Sequence, residues 1–455
     1  MDIDKLFSLQ NAFFLSNETR SLRFRLNHLG QLKLAVQKAE KDILQALKLD
    51  LGKSELEAFS TELSVFYNEI DLCFSKLKSW SKVRRVPTNL INLPGASRII
   101  PEPYGVCLII GPWNYPFQLT FCPLVSALAA GNTAIIKPSE LSPAVTRISG
   151  EIINSLFSPE YVRVVPGGAK TAARLCALPV HKIFFTGSTR VGKLVASAAA
   201  VNLTPVTLEL GGKSPVIVAS DANLPLAARR IAWGKTLNAG QTCIAPDYLL
   251  AHKSIVHELL EVLKSEFSRY IRSVPGSDQD YAKIVNYNHY RRILSLADRD
   301  KVIFGNFSNP DSLYISPTIL YPVTFSHRCM QEEIFGPLLP VMEYENIDEI
   351  IHQIRKLSKP LALYVFSSTR SKAQYVLDHV SSGGAAVNDV IMHAANHHLP
   401  FGGVGQSGAG RYHGRAGFNE FSNLKSVLYK PSGFDVPLRY PPWTAWKRKL
   451  MSFFL

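Results

Sequence analysis

Val106-Cys107-Leu108-Ile109-Ile110, followed at once by Gly111-Pro112-Trp113-Asn114-Tyr115-Pro116, is the stretch on which the fold turns. Five apolar residues in a row, closed by glycine and proline, suit a strand buried on both faces. A helix is expected next, over Gln118 to Ala130, with Gly131 as its C-terminal cap. The cycle repeats downstream. Strands are expected at Thr133 to Ile136, Val162 to Val165 and Lys182 to Phe185, and helices at Pro143 to Leu156, Ala169 to Ala177 and Thr189 to Ala200. Such alternation through short connections specifies an α/β fold on a doubly wound parallel sheet. A second α/β region is expected from Glu209 to about Ala395.

Upstream, residues 1 to about 85 read as helices, because Leu32, Leu34, Val36, Ile43 and Leu44 recur at rough helical spacing among Lys, Gln and Glu. Pro87, Pro94, Pro101 and Pro103 then surround one short β-prone piece, Ser97-Arg98-Ile99-Ile100, which Pro101 is expected to truncate. This stretch reads as an arm outside any sheet core.

The chain has 455 residues, 46% of them apolar, enough for a large core and about two to three domains. Its cysteines stand at 73, 107, 122, 176, 243 and 329 without a Cys-x-x-Cys pair. That excludes a zinc knuckle and a dithiol redox motif, and fits reduced thiols in a cytosol. The start Met1-Asp2-Ile3-Asp4 lacks the basic and apolar blocks of a secretion signal, so a cytoplasmic protein is expected. No segment reaches the ~18 apolar residues of a membrane span. Leu119 to Ile136 comes nearest and is broken by Pro123, Gly131 and Asn132. A net charge of +14 suits a soluble basic surface, or attraction to anionic phosphates or an anionic membrane face. No nucleic-acid partner is expected: there is no basic stripe interleaved with aromatics.

Cys243 lies in Gly240-Gln241-Thr242-Cys243-Ile244-Ala245-Pro246. A free thiol is only about 3% thiolate at neutral pH, so a nucleophilic cysteine needs a base or a local field. Small flanking residues leave room for a substrate; a buried structural cysteine is the commoner alternative. Glu209, in Leu208-Glu209-Leu210-Gly211-Gly212-Lys213, ends an apolar strand. Burial would raise its pKa towards that of a general base, and a salt-bridged strand-end glutamate is the alternative. Asn114 follows a strand end, where α/β sheets bind ligands, and its amide can donate to an oxyanion; it could equally be a turn asparagine.

Phe185-Thr186-Gly187-Ser188-Thr189-Arg190-Val191-Gly192 runs from strand to helix and suits phosphate at the helix N-terminus, or is an ordinary capped start. Lys137 and Glu140, at another strand end, could bind ribose hydroxyls or stand exposed. His393, His397 and His398 have only Asp389 as an acidic neighbour, and no metal is expected.

Together these runs resemble the aldehyde dehydrogenase superfamily from about Gly105 to Pro431. Pro-Trp-Asn-Tyr-Pro at 112–116, Lys-Pro-Ser-Glu at 137–140, Phe-Thr-Gly-Ser-Thr at 185–189, Leu-Glu-Leu-Gly-Gly-Lys at 208–213, Gly-Gln-Thr-Cys at 240–243 and Glu-Glu-Ile-Phe-Gly-Pro at 332–337 stand in the family's order. Val390-Ile391-Met392-His393 and Leu399-Pro400-Phe401-Gly402-Gly403-Val404-Gly405 resemble the class 3, or fatty aldehyde, branch. The resemblance implies an enzyme in which Cys243 is the nucleophile, Glu209 activates water, and Asn114 with the Cys243 N–H holds the oxyanion. It implies NAD as cofactor, because Glu140 would repel a 2′-phosphate, and admits NADP, which the branch it resembles often tolerates. Gly187, Ser188 and Gly192 would take the pyrophosphate, Lys137 and Glu140 the adenine ribose, and Glu333 and Phe335 the nicotinamide ribose side. Trp113 is grouped with the cofactor residues, and Tyr115 and His413 with the substrate.

The implied plan places a dinucleotide-binding domain at 1–86 and 105–208 and a catalytic domain at 209–395. A small β oligomerisation arm at 87–104 and about 415–440 would make a homodimer. Residues 441–455 form a basic amphipathic tail. There Trp443, Trp446, Leu450, Phe453 and Phe454 fall near one helix face, with Arg448 and Lys449 off it and Lys447 beside it. Such a tail can lie in a membrane interface, or pack on its own domain or a partner subunit. The expected reaction is oxidation of medium- or long-chain apolar aldehydes to carboxylic acids through a thiohemiacetal and a thioester. A CoA-acylating enzyme, or an idle binding protein on the same scaffold, is the alternative.

Overall fold

The computed structural model describes residues 2–271, 280–435 and 437–454, without the side chains of 453 and 454. Two large sheets organise it. The first has six strands in the spatial order Gly408–Ala409, Val206–Glu209, Lys182–Thr186, Val106–Ile110, Thr133–Lys137 and Val162–Val164, all parallel except Gly408–Ala409. Alternate side chains serve opposite faces, as the period of two requires. Cys107, Ile109, Ala134, Ile136 and Phe184 join one core, whereas Val106, Leu108, Ile110, Ile135, Ile183 and Phe185 join another. The helix Gln118–Ala130 is buried all round and ends on Gly131 at φ 97°, as its sequence led us to expect.

The second sheet has seven strands, in the order Val302–Phe304, Thr318–Leu320, Leu338–Tyr344, Tyr248–His252, Pro215–Val218, Ala362–Phe366 and Gly384–Val387. Only Val302–Phe304 runs antiparallel. Val216, Val218, Leu249 and Ala251 pack into the core that also holds one face of the first sheet. The chain is therefore α/β, with two doubly wound sheets sharing a core.

Upstream of both sheets lie the helices Ile3–Leu15, Leu22–Lys38, Glu40–Leu51 and Ser64–Trp80. A third, antiparallel sheet joins Arg84–Val86, Ala96–Pro103 and Ser422–Tyr429. Here the expected truncation at Pro101 is corrected: the strand runs through Pro101 to Pro103. Arg84–Val86 pairs only as far as Ile99, so both prolines lie where the strand has a single neighbour and a missing N–H is tolerated. The tail helix spans Ala445–Phe454, so Trp443 precedes it instead of sharing its face. Val436, Leu455 and the side chains of Phe453 and Phe454 lie outside the described residues. Among the described residues, no helix is long and apolar enough to cross a membrane.

Candidate active site

The first sheet brings several motifs to one edge. Val106–Ile110, Thr133–Lys137, Lys182–Thr186 and Val206–Glu209 are parallel, so Gly111, Lys137, Gly187 and Glu209 stand together at their carboxyl ends. Ligands bind at such ends because loops, not side-chain layers, surround them. Gly111 N–H donates to the Lys137 carbonyl (3.0 Å) and Gly187 N–H to the Glu209 carbonyl (3.0 Å), which holds the loops at a common level.

Cys243 enters from the part of the chain that builds the second sheet. The helix Leu224–Thr236 ends in a turn in which Asn238, Ala239 and Gly240 are all left-handed, at φ 51°, 52° and 72°. A side chain at position 240 would place its Cβ 2.3 Å from the Gly336 carbonyl oxygen, so glycine is required there. Of the six cysteines only Cys243 is partly open; the other five are buried. Burial pushes its thiol well up, and the nearby Glu333 and Glu209 carboxylates push the same way. The thiol therefore holds its proton until a base or a positive charge intervenes.

Glu209 is 3% exposed, and among the described residues neither carboxylate oxygen has a hydrogen-bond partner. Burial holds its carboxyl well above the usual carboxylate range; Arg411 opposes the shift and Glu420 adds to it. A buried carboxylate without partners costs stability, on the order of 1–3 kcal/mol or more, and residues kept at that cost cluster at functional sites. Gly402 makes the space: a Cβ there would lie 3.0 Å from Glu209 Oε1.

Asn114 is buried, and its Nδ2 donates to the Gln241 carbonyl at 3.1 Å. An amide nitrogen has two N–H bonds, so one is left for a ligand. Next along the chain, the Tyr115 hydroxyl shares a 2.5 Å hydrogen bond with Thr242 Oγ1, the neighbour of Cys243. The strand-end loop and the cysteine loop are thus stitched together at two successive residues.

The same sheet edge carries a helix start whose geometry suits a phosphate. The helix Thr189–Val201 begins there, capped by Ser188, whose hydroxyl accepts from Val191 N–H. The earlier N–H groups of Thr189 and Arg190 lack helix acceptors and favour an anion. A side chain at Gly187 would collide with Phe185 at 2.6 Å. Gly192 is placed differently from Gly187: its N–H is spent on the Ser188 carbonyl, and a Cβ there would meet Leu210 at 2.6 Å. Its smallness lets the helix approach the Leu210 side chain.

Lys137 Nζ donates to Glu140 Oε2 at 2.7 Å. Desolvation is the largest single influence on Glu140 and works against its ionisation, but the Lys137 hydrogen bond, a main-chain hydrogen bond and the Lys137 charge together outweigh it and the pKa is lowered. On the far side, Phe335 packs edge-on to Trp113 at 5.3 Å, and Trp113 meets the His289 ring at 5.1 Å. A side chain at Gly211 would collide with Glu333, whose carboxyl is pushed up to about 8 by burial first and Asp247 second.

His413 is buried with both ring nitrogens unpartnered, and its ring stacks on Phe401 at 5.3 Å. Burial lowers its pKa to about 3, with His397 and His393 adding to the effect. His393, likewise without partners at either nitrogen, is lowered by burial to about 4. Both rings are neutral at physiological pH. Among the described residues no group of three or more His, Cys, Asp or Glu is placed to hold a metal.

Sequence reasoning missed Lys53, Glu62, Asn238 and Arg411. Arg411 donates to the Gly383 and Gly402 carbonyls and so fixes the floor beneath Glu209. None of the four sits in a motif that the sequence reading singled out.

Residues 1–427 match the model of the aldehyde dehydrogenase family. Over 454 residues the chain is 45% identical to 4,4′-diaponeurosporen-aldehyde dehydrogenase of Staphylococcus aureus, covering 99% of each. It is also 45% identical to aldehyde dehydrogenase family 3 member A2 of Rattus norvegicus, over 97% of this chain and 92% of that one. A solved structure described as the substrate-bound state of Staphylococcus aureus AldH superposes with a TM-score of 0.97, covering all of both chains at 45% identity. The chain belongs to the aldehyde dehydrogenase family, in the branch of its class 3 members, and is an NAD(P)-dependent enzyme of that kind.

Proposed function

We propose that this chain oxidises medium- or long-chain apolar aldehydes to carboxylic acids, using NAD and also accepting NADP. The observation that carries the proposal is one partly open thiol, Cys243, near a buried and unpartnered carboxylate, Glu209. Cys243 gives up its thiol proton to solvent, and Sγ adds to the aldehyde carbon. The oxygen of the resulting thiohemiacetal is held by the free Asn114 N–H and the Cys243 main-chain N–H. When bound, the oxidised nicotinamide dinucleotide would supply a hydride acceptor and a positive charge that favours the thiolate. Gly187 and Ser188 would hold its pyrophosphate, with Gly192 letting that helix close in; Lys137 and Glu140 would hold one ribose, and Glu333, Phe335 and Trp113 the nicotinamide end. Loss of the aldehyde hydrogen from the adduct, as hydride to that acceptor, would leave a thioester on Cys243. Glu209 then takes a proton from water, whose oxygen attacks the thioester, and the acid leaves as the thiol is restored.

The apolar preference draws on Tyr115, Phe401, Tyr412 and the neutral His413, all buried near these groups. With aldehydes from hexanal to hexadecanal, kcat/KM is expected to rise by up to about fourfold per methylene until added methylenes are no longer buried, from ~0.8 kcal/mol per buried CH₂. A flat series would refute the substrate class. Glu209 favours water over a thiol as acyl acceptor, so added coenzyme A should leave the free acid as product.

A cytoplasmic homodimer fits the three-stranded arm. Ser422–Tyr429 is an edge strand with Leu424, Leu428 and Tyr429 exposed, a surface suited to a second copy. In the tail, Trp443 and Trp446 are 68% and 60% exposed beside Lys447, Arg448 and Lys449, which suits an anionic lipid surface. Deleting 441–455 should abolish co-sedimentation with phosphatidylserine vesicles. Equal sedimentation of both forms would rule the tail out.

A further inference from the structure

Lys53 and Glu62 form an ion pair whose side chains are both 0% exposed, with Nζ 2.7 Å from Oε1. Two apolar residues would fill such a space with no desolvation penalty, so a buried pair of this kind calls for a reason other than stability. The bonds leaving the pair supply one. Lys53 Nζ also donates to the Asn114 main-chain carbonyl at 3.1 Å and lies 4.0 Å from the centre of the Tyr115 ring. Glu62 Oε2 accepts from the main-chain N–H groups of Phe117 (3.0 Å) and Gln118 (2.9 Å), the start of the helix Gln118–Ala130. Glu62 itself sits in the π-helical turn Phe59–Leu63, an irregularity found often at functional sites.

The pair therefore grips both ends of the turn Asn114–Gln118. A third group completes the clamp. Asn238 Nδ2 donates to the Asn114 carbonyl at 2.9 Å and to the Gln241 carbonyl at 3.1 Å. The Gln241 carbonyl is the same acceptor that takes one N–H of the Asn114 side chain. Asn238 can do this because its backbone is left-handed and its own N–H is anchored on Glu57 Oε1 at 2.7 Å.

We propose that Lys53, Glu62 and Asn238 are positioning residues, which hold the Asn114 amide in the one orientation that leaves its second N–H for the oxyanion on the Cys243 adduct. This rests on the role given to Asn114 above. None of the three touches the reacting atoms. Their effect is on direction, and small errors of placement at a reacting centre cost up to about a hundredfold in rate.

The test compares wild type with Lys53→Met/Glu62→Gln, which removes both charges together and keeps an acceptor for Phe117 and Gln118. Pre-steady-state NADH formation from hexanal and from its C1-deuterated form is measured alongside the rate of Cys243 alkylation by iodoacetamide. Alkylation needs the thiol but no oxyanion donor. The expected result is a burst rate constant lowered about 10- to 100-fold, with a larger deuterium effect on it, while alkylation stays within about twofold of wild type. Asn238→Gly keeps the left-handed backbone and removes only the side-chain bonds. It should act in the same direction and more weakly, and it decides the matter if the double variant does not fold. Burst rates within twofold of wild type in the folded variants, or alkylation slowed in step with the burst, would overturn the proposal. A wild type that forms no NADH with any aldehyde would instead overturn the functional reading on which it rests.

Discussion

Replacing Cys243 by alanine lowers aldehyde-dependent NADH formation by on the order of 10⁴-fold or more, because removing the nucleophile of a covalent mechanism leaves only binding and the polar site. The fold should tolerate the change. Cys243 is partly open, and losing a single sulfur there costs less packing than at a sealed core position. Dinucleotide binding, followed by quenching of tryptophan fluorescence, should therefore persist in the inactive variant. Iodoacetamide gives an independent check on the wild type. The other five cysteines are buried, so labelling should concentrate on the peptide carrying Cys243 and should abolish activity in step. Retention of more than about a hundredth of the wild-type rate by the alanine variant would exclude this residue as the nucleophile.

Glu209→Gln has the second largest effect expected, a fall in kcat of about 10²- to 10⁴-fold. Water must lose a proton as it attacks the thioester, and an amide cannot take it. Acylation does not need that base, so a stoichiometric burst of NADH should survive. Loss of the burst as well would show that Glu209 also serves the thiol. The pH dependence follows from burial, which holds the Glu209 carboxyl well above its ordinary range. The base is active only when ionised, so wild-type kcat should climb as pH rises through that raised pKa, and the glutamine variant should lose this limb.

Stability moves with the opposite sign. A carboxyl with a raised pKa binds its proton more tightly in the folded chain, so the wild type loses stability as pH rises from the ordinary carboxylate value through the raised one. Glutamine does not titrate, and neither Glu209 oxygen has a protein bond to lose. The Tm of the variant relative to wild type should therefore increase with pH.

How much of the site was legible beforehand depended on whether function is written locally. Cys243, Glu209 and Asn114 each lie in a short run whose neighbours serve the same purpose. The small residues beside the thiol, the glycines after the carboxylate and the strand before the amide all have to be adjacent in the chain. Lys53 and Glu62 follow a different logic. Their partners are 55 to 61 residues away, and a lysine nine positions from a glutamate in a helical region reads as solvated surface. Pro101 misled for a related reason, since whether proline ends a strand depends on which edge has a neighbour. Gly192 shows the same dependence on context: a glycine near a helix start is the same letter whether it serves a phosphate or makes room for the side chain of Leu210.

The sequence alone determined the alternation of strand and helix, the parallel sheets and the order of the motifs, because period, apolar runs and turn residues act over a few positions. Tertiary structure alone decided that Glu209 is buried without a partner, that five of six thiols are sealed off, and that a charged pair from the N-terminal helices holds the Asn114 turn. Burial and electrostatic environment are sums over atoms distant in the chain, and they exist only once the sheets have packed.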